Sequence, residues 1–235
     1  LTLDRTECRN NYLDYIKRCQ TKSTTIKSAR VEIIDMVREA LRLSSYNSNP
    51  DENIVSSINM QWEESGKTIL PLDNFVAMVD TSGSMTVDNG NPLYSAIGLG
   101  LRIAEKSKLG KRIMTFSAQP KWIDLEDEPS FIEMARKVAD DSSWQTNTNF
   151  EAALGLLLQS YIANNLHPDE VKNMVLVVFS DMQIDEADCN AKSMNDLIKK
   201  MFADAGKYTS HQIPYEPCHI LYWNLRSTSG FPCLT

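Results

Sequence analysis

The sequence predicts an α/β protein with a mostly parallel sheet covered on both faces by helices. Three observations lead there. Short apolar runs at Phe75–Val79, Arg112–Ser117, Met174–Phe179 and His219–Trp223 read as strands. Longer segments of helical periodicity separate them, the spacing that parallel strands require. The run Met174–Phe179 is apolar throughout, as expected of a strand buried on both faces.

Taken in order, residues 1–45 read as two amphipathic helices. Tyr12, Leu13, Tyr15, Ile16 and Cys19 form one stripe; Ala29, Ile33, Val37, Ala40 and Leu41 form the other. Thr21 to Thr25 break the pattern between them, and Ser44 to Asp51 is a loop by composition. Ile54 to Trp62 reads as a short helix. Asn91 followed by Pro92 is a helix start, with Asn as the cap and Pro at the first helical position. The helix that follows, Leu93 to Lys106, is apolar nearly all round. Its Gly98 and Gly100 cost helix stability, which close packing on the sheet would explain. Lys121–Leu125 is a short strand suited to an edge, after Pro120. Phe131–Ala139, Phe150–Ala163 and Ser193–Ala205 read as helices, and Trp144–Asn149 as a polar loop. The whole is a doubly wound, Rossmann-like layout, expected to divide into a helical N-terminal segment over 1–60 and the sheet domain over 61–235.

Composition bounds the function. Hydrophobic residues are 42% of the chain, enough for a sizeable core, and net charge is −7. Residues 1–60 carry 9 basic and 8 acidic side chains, and residues 61–235 carry 15 and 23. The sheet domain is therefore acidic, unlike a phosphate-binding surface. Lys17, Arg18, Lys22, Lys27 and Arg30 form a mild basic run that reads as a solvated helix face. The five cysteines, Cys8, Cys19, Cys189, Cys218 and Cys233, are scattered without a Cys-x-x-Cys pair. Free thiols in a reducing, intracellular compartment are expected, and no zinc site. No apolar run is long enough to span a membrane, so no membrane partner is expected.

The chemistry concentrates where strands end. The run from Phe75 stops at Asp80, and Asp80, Ser82 and Ser84 alternate in one tight loop. In open α/β sheets ligands bind beyond the C-terminal ends of the strands. One carboxylate and two hydroxyls are hard oxygen donors of the kind Mg2+ takes. Gly83 is expected to let this loop bend where a Cβ would obstruct it. The strand at Met174 likewise ends in Ser180-Asp181. In a parallel sheet Asp80 and Asp181 share one edge, and two carboxylates so placed repel unless a cation lies between them. The polar loop supplies Thr146 and Thr148 just before a helix.

The sequence Asp80-Thr-Ser-Gly-Ser-Met, followed by Thr148-Asn-Phe and Ser180-Asp181, resembles the metal-ion-dependent adhesion site of von Willebrand factor A (VWA) domains. The resemblance implies a Mg2+ (or Mn2+) site held by Asp80, Ser82, Ser84, Thr148 and Asp181. Ser82, Ser84 and sometimes Thr148 would bind the ion directly, and Asp80 and Asp181 mostly through water. It implies a protein partner that offers an acidic group to the metal. With Gln61-Trp62, Ser180-Asp181-Met182-Gln183 and Trp223-Asn224-Leu225-Arg226, the order of motifs is similar to an uncharacterised VWA family of plants, fungi and giant DNA viruses. That layout is in turn similar to the TROVE-type Ro ribonucleoprotein, which makes an RNA-associated role the alternative. The implied setting is intracellular, or the virion if the chain is viral. A VWA domain would add one more strand and a closing helix after Arg226. Ser227 to Thr235 is polar with Gly230 and Pro232, so that strand and helix are expected to be missing and the fifth strand to form an edge.

An enzyme is not expected. His167, His211 and His219 sit in no triad-like or metal-ligand context. A phosphatase-like aspartyl loop would want Asp where Ser82 stands, and there is no Walker or dinucleotide glycine loop. Asp185, Glu186 and Asp188 read as solvated residues able to steer cations.

Overall fold

The computed structural model describes residues 3–28, 31–45, 50–117, 119–140, 149–181 and 191–226. Helices α1 (Leu3–Gln20), α2 (Ile33–Leu43) and α3 (Glu52–Gly66) lead into strand β1 (Phe75–Asp80). There follow α4 (Asn91–Lys106), β2 (Arg112–Phe116), β3 (Trp122–Asp124), α5 (Phe131–Asp140), α6 (Phe150–Ala163), α7 (Pro168–Lys172), β4 (Val175–Ser180), α8 (Ala191–Lys207) and β5 (His219–Asn224). Among the described residues the strands form one five-stranded sheet in the order β3-β2-β1-β4-β5. Every pairing is parallel except β2 with the short β3. This is the expected α/β, Rossmann-like architecture.

The sheet's two faces follow the strand period of two. Ala77 and Val79 of β1 join Ile113, Val177 and Phe179 in a core that α2, α4 and α5 cover. Val76 and Met78 join Met114, Phe116, Leu176 and Val178 in the opposite core, which α6 and α8 cover. Met36, Val37 and Ala40 of α2 and Trp62 of α3 lie in the first of these cores. Of the α1 stripe, Ile16 and Cys19 are buried, in a small satellite cluster with Ile26, while Tyr12 is exposed.

Trp62 is the main anchor of α3. It stacks on Phe131, with ring centroids 3.9 Å apart, and the Arg102 guanidinium lies 3.3 Å from its ring centroid on α4. Arg102 is itself buried and hydrogen-bonded. It donates to the Trp62 carbonyl (2.6 Å), to Ser65 Oγ (2.5 Å) and to Glu105 Oε2 (2.9 Å), while Trp62 Nε1 donates to Glu105 Oε1 (2.7 Å). A buried guanidinium costs desolvation unless paired and hydrogen-bonded, and here three hydrogen bonds, the Glu105 carboxylate and the Trp62 ring engage it.

Several local expectations need correction. Asn91 does not cap α4: Gly90 does, from a left-handed backbone at φ 80°. Asn91 is the first helical residue, and its Oδ1 accepts from Arg38 of α2 at 2.7 Å. The close contact behind Gly100 is with the sheet, since a Cβ there would lie 2.6 Å from Val79 Cγ2. That behind Gly98 is instead with α2, where a Cβ would lie 2.7 Å from Ile33 Cγ1. Helix α3 runs four residues past Trp62, and α7 is an additional helix. It starts at Pro168 with a capping box, His167 accepting from Asp169 N and Glu170 accepting from His167 N.

At the far side of the sheet, β5 is the last strand among the described residues, and Leu221, Tyr222 and Trp223 are partly exposed on it. The expectation about Ser227–Thr235 falls outside the described residues. Cys8, Cys19 and Cys218 are free thiols, and Cys189 and Cys233 lie outside the described residues. Among the described residues no helix is long and apolar enough to cross a membrane.

Candidate metal centre

Strands β1 and β4 are hydrogen-bonded neighbours in register from Phe75↔Val175 to Val79↔Phe179. Their ends therefore fall level. Asp80 closes β1, Ser180 closes β4, and Asp181 follows directly. The expected meeting of Asp80 and Asp181 on one rim is what the register produces. Both are buried, at 0% and 3% exposure.

Asp80 is held from two sides. Ser82 N donates to its Oδ1 at 2.9 Å, and Ser180 Oγ donates to its Oδ2 at 2.5 Å. The first bond closes the tight turn after β1; the second ties that turn to the neighbouring strand. Burial pushes the Asp80 carboxyl above the usual carboxylate range. The bonds from Ser180 and Ser82 pull it back in part, and the charge of Asp181 adds to the rise. Two buried carboxylates on one rim are the arrangement that a cation relieves.

The hydroxyls come next. Ser82 Oγ and Ser84 Oγ are 2.9 Å apart, with Ser82 buried and Ser84 half-buried where the rim opens to solvent. Two neighbouring ligands of an octahedral ion at its usual metal–oxygen distance stand about 2.9 Å apart. The spacing, set here by a hydrogen bond between the two hydroxyls, is compatible with Mg2+. The Thr81 hydroxyl is fully buried in the same loop, without a hydrogen-bond partner among the described residues. Gly83 does not play the part expected of it. A Cβ there would meet nothing within 4 Å, and its backbone lies outside the left-handed region. The bend is made instead by Ser82, Gly83 and Ser84 entering a short 3-10 turn over Gly83–Thr86.

The remaining expected ligand, Thr148, lies outside the described residues, as do Thr146, Asp185, Glu186 and Asp188. The residue after Thr148 is placed. Asn149 N donates to the carbonyl of Ser117, just past β2, at 3.3 Å, and its side chain caps α6 by accepting from Ala152 N at 2.9 Å. Since Phe116 of β2 is level with Asp80, Asn149 sits at the same rim. The Trp223-Asn224-Leu225 motif also ends there: Asn224 is level with Ser180, and Leu225 N donates to the Ser180 carbonyl at 2.9 Å. Ser180 is the contributor that sequence reasoning quoted but gave no role. Its signal was a polar residue ending an apolar strand immediately before the second Asp.

Among the described residues no group of three or more His, Cys, Asp or Glu side chains gathers to hold an ion. What the rim offers is two carboxylates and a hydroxyl pair, an all-oxygen donor set that suits a hard cation and no soft one. Both oxygens of Asp80 already accept hydrogen bonds, which suits a carboxylate acting on an ion through an intervening hydroxyl or water. The residues present fit the group that the sequence implies.

Comparison with curated proteins finds no match. Among solved structures, the crystal structure of the Deinococcus radiodurans RO (RSR) protein aligns with a TM-score of 0.47 at 14% identity, covering 94% of this chain and 46% of that one. The chain thus spans less than half the length of that protein. A family described as Domain of unknown function (DUF7788) matches residues 74–234, which takes in β1, the rim loops and β5. The chain belongs to this DUF7788 family.

Proposed function

We propose that the protein is a non-enzymatic interaction module whose rim holds a divalent cation, Mg2+ or Mn2+, in an adhesion site of VWA type. The observation that carries the reading is the meeting of Asp80 and Asp181, both buried, beside the 2.9 Å hydroxyl pair of Ser82 and Ser84. In this reading Ser82 and Ser84 hold the ion directly with Thr148 as a further ligand, and Asp80 and Asp181 act through water. The bound ion supplies Lewis acidity toward an acidic group on a protein partner. The chain's own residues keep the ligands in place: Ser180 orients Asp80, and the turn at Gly83–Thr86 fixes the two serines.

The disposition of the histidines favours binding over catalysis. His219 opens β5, level with Val175 and at the opposite end of its strand from Asn224. His167 is occupied in capping α7 and packs edge-on against His211, with centroids 5.0 Å apart. The serines of the rim therefore have no imidazole base. The free thiols support an intracellular setting.

Calorimetric titration with Mg2+ and Mn2+ tests the reading, on wild type and on the Ser82→Ala/Ser84→Ala double variant. Saturable heat in wild type, lost in the variant, is the expected result. Equal heats from both proteins remove the metal hypothesis; RNA affinity that falls steeply with salt would then favour the RNA-associated alternative.

A further inference from the structure

At the rim opposite Asp80 and Asp181, where the strands begin, a cavity of about 240 Å3 opens between the sheet and α6. It holds the volume of about eight waters. Its walls mix apolar side chains, Leu157 and Met174 among them, with polar groups that include Arg112, Trp122 and Tyr161.

Two of those groups are buried donors. Both are fully shielded from solvent: Trp122 Nε1 has no hydrogen-bond partner among the described residues, and the Tyr161 hydroxyl has only the Cys218 thiol, a weak acceptor, beside it. A buried donor left unsatisfied costs about 1–3 kcal/mol, so the Trp122 N–H on the wall of a cavity calls for an acceptor inside it, and the Tyr161 hydroxyl could trade its weak thiol partner for the same acceptor. Burial, and next the Cys218 thiol beside it, push the Tyr161 hydroxyl well above the usual phenol range. It stays protonated and able to donate.

The third group is a cation. Arg112, the first residue of β2, is half-buried with its guanidinium 4.5 Å from the Trp122 ring centroid. The one hydrogen bond that its guanidinium makes among the described residues is a long one to Ser160 Oγ, at 3.3 Å. Its cross-strand neighbour Asp124 accepts from Glu126 N and forms no ion pair with it. Lys108, which also lines the cavity, is paired with Asp73 at 2.5 Å. Among the described residues Arg112 therefore keeps most of its five donors unspent.

We propose that this cavity is a binding site for a small organic monocarboxylate, with Arg112 pairing its carboxylate, Trp122 and Tyr161 donating to it, and Leu157 and Met174 enclosing its apolar body. The single charge and half-apolar wall favour a monocarboxylate over a phosphate, which would want several cations and solvent access. The site is independent of the metal reading, because it uses no residue of the Asp80–Asp181 rim.

The test is titration calorimetry of the full chain with sodium benzoate and sodium hexanoate, at constant ionic strength with EDTA, and with benzamide as the neutral comparator. Benzoate or hexanoate is expected to bind saturably with a Kd on the order of 1 mM or tighter, the range for so small a ligand. Benzamide should bind about tenfold more weakly, since it forfeits the charge-assisted pairing. Arg112→Gln should weaken the carboxylate about tenfold, and Trp122→Phe, which keeps a ring but removes the N–H, severalfold. Ser82→Ala/Ser84→Ala should bind the carboxylate as wild type does, whatever its response to Mg2+. The assignment is overturned by absence of saturable binding of both carboxylates, by equal affinity for benzamide, or by full affinity in a folded Arg112→Gln or Trp122→Phe protein.

Discussion

The Ser180 hydroxyl donates to Oδ2 of Asp80 at 2.5 Å, across 100 residues of sequence and between two adjacent strands. The bond turns a buried carboxylate from a liability into a fixed feature of the rim. Removing it in Ser180→Ala leaves Asp80 buried with one donor fewer. Hydrogen bonds to charged groups contribute about 1.5–3 kcal/mol, so the variant should lose about that much in a urea-unfolding measurement at neutral pH without metal. On the metal reading it should also bind Mg2+ more weakly, because Asp80 is then less well oriented. Unchanged stability would mean that water replaces the hydroxyl at no cost.

That bond also marks where sequence reading stopped. Apolar runs ending in Asp80 and Asp181 placed both carboxylates on one rim, because strand direction and sheet type are written in periodicity and spacing. The bounds of α6 came out as Phe150–Ala163 because a polar loop and an Asn cap bracket an apolar run. A side chain's partner in another strand is set by register, which no local pattern encodes, so Ser180 went unassigned. Helix α7 was missed because five residues carry no periodicity and its cap is a histidine. Gly83 was over-read for the converse reason: glycine permits a strained backbone but does not report one.

Two glycine substitutions separate permission from need. At Gly206 in α8 a Cβ would lie 2.2 Å from the Ile213 carbonyl oxygen and 2.5 Å from Tyr215 N. Those are backbone atoms and cannot step aside, so Gly206→Ala should cost several kcal/mol, at or beyond the ~1–3 kcal/mol usual for overpacking. At Gly83 the space is open and the backbone ordinary. Gly83→Ala should be neutral or stabilising by about 0.4–1 kcal/mol, through lost freedom in the unfolded chain. Thermal unfolding of the two variants side by side reads the contrast.

Gly66→Ala tests the Arg102 clamp. A Cβ at Gly66 would lie 2.5 Å from Arg102 Nη1 and 3.2 Å from Cζ. A free arginine tip would swing away, but this one is held by Trp62, Ser65 and Glu105 together. Helix propensity alone favours Ala over Gly by about 1 kcal/mol. Net destabilisation therefore means that the clamp outweighs propensity, and a loss of about 1–2 kcal/mol is expected. In an Arg102→Met background the same substitution should become neutral or favourable. Destabilisation of equal size in both backgrounds would show that the guanidinium is not what Gly66 accommodates.

Cys218 provides a pH dependence with a definite sign. Burial against β4 raises its thiol from the ordinary value of 9.0 to about 11. The folded state therefore favours the neutral thiol more than the unfolded chain does. The resulting stability is fully present below the ordinary value of 9.0 and is lost as pH rises through about 11. A shift of this size corresponds to roughly 3 kcal/mol at the alkaline limit. Tyr161, Tyr215 and Tyr222, all raised by burial, add to the loss with the same sign, so wild type alone does not isolate the thiol. Cys218→Ser removes the titration while keeping a group of similar size beside Tyr161. Urea midpoints between pH 7 and pH 11 should fall less steeply for Cys218→Ser than for wild type, whatever the variant's stability at pH 7. Parallel curves for the two proteins would mean that the thiol ionises at the same pH folded and unfolded, and that β5 does not seal it from water.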